Sequence, residues 1–159
     1  MNEKSLRGTA LVMLGCPQVP IQTSAALYLV HGLRKAGIPV TIAGTPSARA
    51  LLEVADPERV YLDEVVDLDA CIGFIAEGER DFSMSFVFVH NDAGVAYVAS
   101  LAAMSKGRVH AVVFGGSTEE IVAQLQQVPC EIITARGSHN PLPMKKKLDG
   151  VLQWVVSNR

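Results

Sequence analysis

Five short apolar runs, separated by segments long enough to be helices, constrain this chain more than any other feature. Residues 9–15, 40–43, 86–89, 109–114 and 131–135 each read as a strand. The first contains Ala10-Leu11-Val12-Met13-Leu14 without a break, the pattern of a strand covered on both faces. Between the first two runs, Ile21, Ala25, Leu29 and Leu33 recur at helical spacing, and Gly37 supplies a stop. Residues 93–104 are rich in small and apolar side chains and read as a heavily buried helix ending at Lys106-Gly107. Ser117 and Glu120 stand at capping-box spacing where the next helix should open. The last helix, 141–156, carries Leu148, Val151, Leu152, Trp154 and Val155. Residues 46–80 are less regular. Thr45-Pro46 caps a short helix to Val54, Asp56-Pro57 breaks it, 60–62 reads as an extra short strand, and 68–76 as a further helix.

Such alternation implies right-handed crossovers and one α/β domain spanning 1–159. The expected architecture is a three-layer α/β/α sandwich with a mainly parallel sheet of five or six strands, Rossmann-like or flavodoxin-like. Strand orders 2-1-3-4-5 and 3-2-1-4-5 both suit the alternation.

At 159 residues the chain is long enough to bury roughly 70% of its unfolded surface. Only 19% of it is charged against 49% apolar, so the polar face is thin and a homo-oligomer is expected, with a dimer favoured. A net charge of −2 without a basic stripe speaks against nucleic acid as a partner. Cysteines 16, 71 and 130 form no CxxC pair, which argues against a disulfide framework or a cysteine-rich zinc site and fits a reducing interior. Lys4 and Arg7 ahead of a short apolar run ending in Gly-Cys mimic a lipoprotein leader, but Met13 and Leu14 are too large for a cleavage site. No run approaches the roughly 20 residues of a membrane span. The expectation is a cytoplasmic protein that does not enter a membrane.

In an open parallel sheet, ligands bind just beyond the carboxyl ends of the strands. There the sequence places Cys16, Thr45, His90-Asn91-Asp92, Gly115-Gly116-Ser117 and the run Arg136-Gly137-Ser138-His139-Asn140-Pro141. Gly15 and Pro17 flank Cys16 and direct a turn at that point. Cys16 is either a thiolate nucleophile, with Arg136 or His139 supplying positive charge, or a small buried side chain filling a turn. Asn91 or Asp92 suits a helix cap, which leaves His90 freer for proton transfer. His139 is the third catalytic candidate. Gly115-Gly116-Ser117 leads into a helix whose first N–H groups form an anion cradle. Neither GxGxxG nor GxxxxGK[ST] is present, so no cofactor is assigned. No HxH or HxxxH spacing joins the histidines, and no metal site is expected. His31, mid-helix, and His110, near a strand's start, are poorer candidates than His90; Cys71 and Cys130 read as packing residues, and Lys145-Lys146-Lys147 as a solvated face or an attractor of anions.

Gly15-Cys16-Pro17-Gln18-x-Pro20-x-Gln22, Val54-Ala55-Asp56-Pro57-Glu58, Asn91-Asp92-Ala93 and His139-Asn140-Pro141-x-Pro143 together carry a resemblance over nearly the whole chain. The chain resembles a small family of uncharacterised proteins from methanogenic archaea, grouped as a domain of unknown function. The resemblance implies a three-layer α/β/α fold and a cytoplasmic methanogen protein, and transfers no activity. One departure is Gly137-Ser138 before His139, where the resemblance implies a bulkier pair that includes a second histidine.

Three functions follow from these readings. The first is a small-molecule-binding protein with an anionic or nucleotide-like ligand at the strand ends. The second is a sulfurtransferase or sulfur carrier using Cys16, resembling small DsrE-type sulfurtransferases in architecture without a matching motif. The third is a non-catalytic subunit of a larger assembly.

Overall fold

A computed structural model describes residues 8–158. Lys4 and Arg7, which bear on the leader reading, lie outside the described residues. Six strands, β1 (Ala10–Leu14), β2 (Val40–Gly44), β3 (Glu64–Asp67), β4 (Met84–Val89), β5 (Arg108–Val113) and β6 (Glu131–Thr134), form one sheet. Helices α1 (Ile21–Lys35), α2 (Pro46–Ala55), α3 (Leu68–Ala76), α4 (Asp92–Met104), α5 (Thr118–Leu125) and α6 (Leu142–Ser157) follow the strands one by one. The order across the sheet is β3-β2-β1-β4-β5-β6, and every pairing is parallel. The five expected strands therefore take the 2-1-3-4-5 order, and the added edge strand β3 turns this into a Rossmann-like 3-2-1-4-5-6 arrangement.

Alternation along the strands splits the core in two. Val12, Ile42, Phe86 and Val112 face α1, α2 and α6, together with Leu29, Leu52 and Leu148. Leu11, Val87, Ala111 and Val113 face α3, α4 and α5, together with Cys71, Leu101 and Ile121. The inner strands β1 and β2 are buried along their whole length, as continuous apolar runs require in a sheet covered on both sides.

Three expectations need correction. Residues 60–62 are not a strand, because the buried carboxylate of Asp56 accepts the main-chain N–H groups of Val60, Tyr61 and Leu62 at 2.8, 2.9 and 3.0 Å. Those donors are then lost to any ladder, and the edge strand forms two residues later at Glu64. The capping box at Ser117 is not made. Ser117 stands at the N-cap of α5 with φ −112° and ψ 33° and makes no side-chain capping bond. Helix α4 is not heavily buried either: Gly94, Val98 and Leu101 form one buried stripe, and its alanines at 93, 96 and 103 face outward. Their smallness suits helix propensity rather than core packing.

Candidate functional site

Strands β1 and β4 are neighbours in the middle of the sheet, yet α1 and α4 leave them toward opposite faces. The chain therefore parts above their carboxyl ends, and this is where open α/β sheets hold ligands. The loop after β1 carries Gly15-Cys16-Pro17, and the loop after β4 carries His90-Asn91. A hydrogen bond joins them, with His90 Nε2 2.8 Å from the main-chain oxygen of Cys16. The His90 ring also lies 5.4 Å, centroid to centroid, from buried Phe114 at the end of β5.

The β1 turn is held from below by two further side chains. Gln22, in the first turn of α1, is 1% exposed and donates through Nε2 to the Gly15 carbonyl at 3.0 Å. Its Oε1 is buried without a hydrogen-bond partner. Thr45 reaches the same carbonyl at 3.4 Å and also accepts the Ala48 N–H at 3.3 Å as the cap of α2. Gln22 stands three and four residues before Ala25 and Ala26, on the buried face of α1, and that spacing was the available signal for its burial.

Loops from the far side of the sheet fold back toward the same place. Gly115 and Gly137 form an antiparallel bridge, with N–H to oxygen distances of 2.9 and 3.2 Å. Both hold positive φ, 94° and 132°, where L side chains are strained. A Cβ on Gly115 would stand 3.5 Å from His90 Cβ and 3.7 Å from Val19 Cγ2. One step further, the Ser138 carbonyl accepts the Ile21 N–H at the start of α1. The φ of 132° at Gly137 is one that L side chains rarely adopt, which suits glycine here in place of the bulkier residue that the resemblance implies.

The structure thus gathers Cys16, Thr45, His90 and Gly115, and adds Gln22. Other candidates have local roles. Asn91 caps α4 by accepting the Gly94 N–H. Asp92 is exposed and accepts from Gln124 at 3.4 Å. Arg136 points to Glu119 at 3.3 Å on the exposed surface, away from a role beside the Cys16 thiol. Asn140 accepts the Leu142 N–H at the start of α6. Gly116, Ser117 and His139 are exposed. Cys16 is exposed as well, so it is not the buried turn-filling side chain that the sequence suggests, in contrast to Cys71, whose thiol burial pushes up to about 11. Among the described residues no group of three or more His, Cys, Asp or Glu side chains stands close enough to hold a metal ion.

The model of a domain of unknown function, DUF1890, matches residues 11–151. The chain belongs to the DUF1890 family. An uncharacterised relative, MJ0452 of Methanocaldococcus jannaschii, is 36% identical over 147 residues, covering 91% of this chain and 97% of the relative. The solved structure of MT0777 superposes with a TM-score of 0.85 at 39% identity, over 92% of this chain and 97% of that one. The methanogen resemblance and the three-layer fold are both supported by these matches. The sugar isomerase domain of an RpiR transcription factor from Sphaerobacter thermophilus shares the fold alone, at 13% identity and a TM-score of 0.52. It covers 96% of this chain and 72% of that one. No helix among the described residues of this DUF1890 chain is long and apolar enough to cross a membrane.

Proposed function

We propose that this protein binds a small ligand bearing a phosphate or carboxylate group, nucleotide-like in size, above the ends of β1 and β4. The observation that carries the reading is the switch in strand order between β1 and β4, with the β1, β4, β5 and β6 loops drawn together around His90. Helices α4 and α5 open toward this end of the sheet, and Ser117 leaves the first N–H groups of α5 without a side-chain cap. Unclaimed donors at the start of α5 favour an anion. Glycines 115 and 116 let the backbone approach a ligand without a side chain between them.

Amide NMR spectra recorded against inorganic phosphate, nucleotides and sugar phosphates test the proposal. The expected result is saturable shifts at residues 15–16, 90–93 and 115–118 with one class of compound. Thermal stabilisation should follow, about 2.7 kcal/mol at a hundredfold excess over the dissociation constant. No shift with any anion, or shifts confined to the opposite end of the sheet, overturns it.

Exposure of Cys16 favours a second reading, thiol chemistry at the same edge. Against it, His90 is engaged with the Cys16 carbonyl and Arg136 with Glu119. Alkylation of Cys16 followed against pH separates the two, since a nucleophilic thiolate reacts fast below neutral pH and an ordinary thiol does not.

A further inference from the structure

The sheet ends in two edge strands, and they are not equivalent. At β3 both terminal residues are acidic and already engaged, Glu64 with Arg80 at 2.6 Å and Asp67 with Arg49 at 3.3 Å. A rim of long charged side chains of this kind blocks pairing with another strand. Strand β6 reads Glu-Ile-Ile-Thr, and its one charged residue, Glu131, is engaged inward with His110 and Arg108 of β5 at 3.2 and 3.8 Å. Beside it, a groove of about 440 Å³ runs between the strand, Arg108 and His110 of β5, and Lys147, Gly150, Val151 and Trp154 of α6. Trp154 is 40% exposed, although it is the largest side chain of that helix.

We propose that β6 is the seam of a two-fold dimer, in which a second copy of this chain adds its own β6 antiparallel and joins the two six-stranded sheets into one. The hydrogen-bond phase of β6 fixes the register. Ala135 donates its N–H to Val113 of β5 at 3.1 Å, so by alternation Ile133 and Glu131 also bond inward. Ile132 and Thr134 then turn their N–H and C=O groups outward. Antiparallel strands exchange bonds between residues that face each other in this way. Ile132 therefore opposes the partner's Thr134, the axis passes at Ile133, and all four outward groups on each chain are satisfied.

Charge supports the same pairing. Helix α6 runs back over β6, so that Lys147 lies toward the end of β6 and Trp154 toward its start. There the Trp154 ring lies 4.6 Å from the guanidinium of Arg108, the first residue of β5. A two-fold axis at Ile133 brings Glu131 of each copy toward Lys147 of the other. The corresponding pairing at β3 would set carboxylates against carboxylates, which is unfavourable across a strand pair.

Sedimentation of the full chain, combined with amide hydrogen exchange, tests this. The wild type is expected at twice the 17.0 kDa monomer mass, with the Ile132 and Thr134 amides gaining protection as concentration rises. Thr134→Pro removes only an outward N–H, a substitution that edge strands tolerate, and should leave a folded monomer. Lys147→Glu, on the exposed face of α6, should weaken the dimer at least roughly tenfold and serves if the proline variant fails to fold. A wild type that stays monomeric at roughly 0.1 mM overturns the proposal, as does a dimer in which these two amides exchange freely.

Discussion

His90, at the end of β4, holds the main-chain oxygen of Cys16, at the end of β1, at 2.8 Å from its Nε2. A carbonyl only accepts, so Nε2 must carry the proton. In the neutral ring this leaves Nδ1 as a bare acceptor at the place where the chain parts. The contact therefore latches two loops and sets which ring nitrogen is left to accept.

Nitrogen NMR of the neutral His90 ring should show a protonated Nε2 and an unprotonated Nδ1. His90→Gln can keep a donor on the Cys16 carbonyl, whereas His90→Phe cannot. The glutamine variant should preserve the amide shifts of residues 15–19, and the phenylalanine variant should move them while the rest of the spectrum stays in place. The reverse tautomer would remove the latch as described.

Thiol reactivity should separate the three cysteines. Cys16 is exposed, Cys71 is 2% exposed with its thiol pushed up to about 11 by burial, and Cys130 is half-buried with its thiol also raised by burial. Arg80 draws the Cys71 value back and Glu64 adds to it, but burial is the larger effect. In the folded protein a maleimide should label Cys16 first, Cys130 slowly and Cys71 only on unfolding. Mass spectrometry of the digested adduct reads the order.

The sheet's inner strands were legible in the sequence because they are local facts: an unbroken apolar run such as 10–14 reads the same in any context. The edge strand β3 was not, because Glu64 and Asp67 give it polar ends while Val60-Tyr61-Leu62 looks more strand-like. What decides between them is the Asp56 carboxylate, which accepts the N–H groups of that apolar segment. At the site, Cys16 and His90 were visible as strand-end residues. Their contact was not, since it depends on β1 and β4 being neighbours across 74 positions of sequence. The bridge between Gly115 and Gly137 likewise needs the return of the β6 loop, which no spacing encodes.

Asp56 should then be a stability residue of the first rank. Burial raises its pKa, but the N–H groups of Tyr61, Val60 and Leu62 and the charge of Arg34 outweigh that and hold it below the usual 3.8. A depressed carboxylate stabilises the fold above its unfolded value and loses that contribution as pH falls through the folded one. Asp56→Ala strands three donors beneath the 56–63 loop and should lower the melting midpoint by several degrees. Asp56→Asn, with one acceptor oxygen, should fall between. The wild-type advantage over both should shrink in acid as pH drops below about 3.8.

Glycine substitutions should separate a rigid contact from a yielding one. A Cβ on Gly107 would stand 1.9 Å from the Phe82 carbonyl oxygen and 2.9 Å from the Ser83 backbone, ahead of β5. On Gly32 of α1 it would meet only the Leu152 side chain of α6, at 2.3 Å from Cδ1. Backbone cannot step aside without moving the sheet, whereas a leucine tip can rotate. Gly107→Ala should cost about 3 kcal/mol and Gly32→Ala about 1 kcal/mol in denaturant unfolding. Equal costs would mean that the loop before β5 gives way as readily as a side chain.

The side chain of His110 is 3% exposed and stacks on Phe86 with ring centroids 4.6 Å apart. Two acceptors flank its ring, the Ser85 carbonyl 3.3 Å from Nδ1 and Glu131 Oε2 3.2 Å from Nε2. A neutral imidazole has one N–H and can satisfy only one of them. Burial nevertheless dominates and lowers the pKa below 6.5. Glu131 and the Ser85 carbonyl pull it back up, and Arg108 pushes it further down. The unfolded chain thus binds the proton more readily than the folded one. The stabilisation is complete above pH 6.5 and is lost as pH falls through the folded value. Melting midpoints should therefore hold steady down to about pH 6.5 and then decline, beyond what the carboxylates alone produce. Glu131→Gln removes the charge that favours the imidazolium, so His110 should titrate at still lower pH in an NMR experiment. His110→Phe should remove this histidine-linked part of the decline. A His110 that titrates at or above 6.5 in the wild type would reverse the sign, with Glu131 outweighing burial.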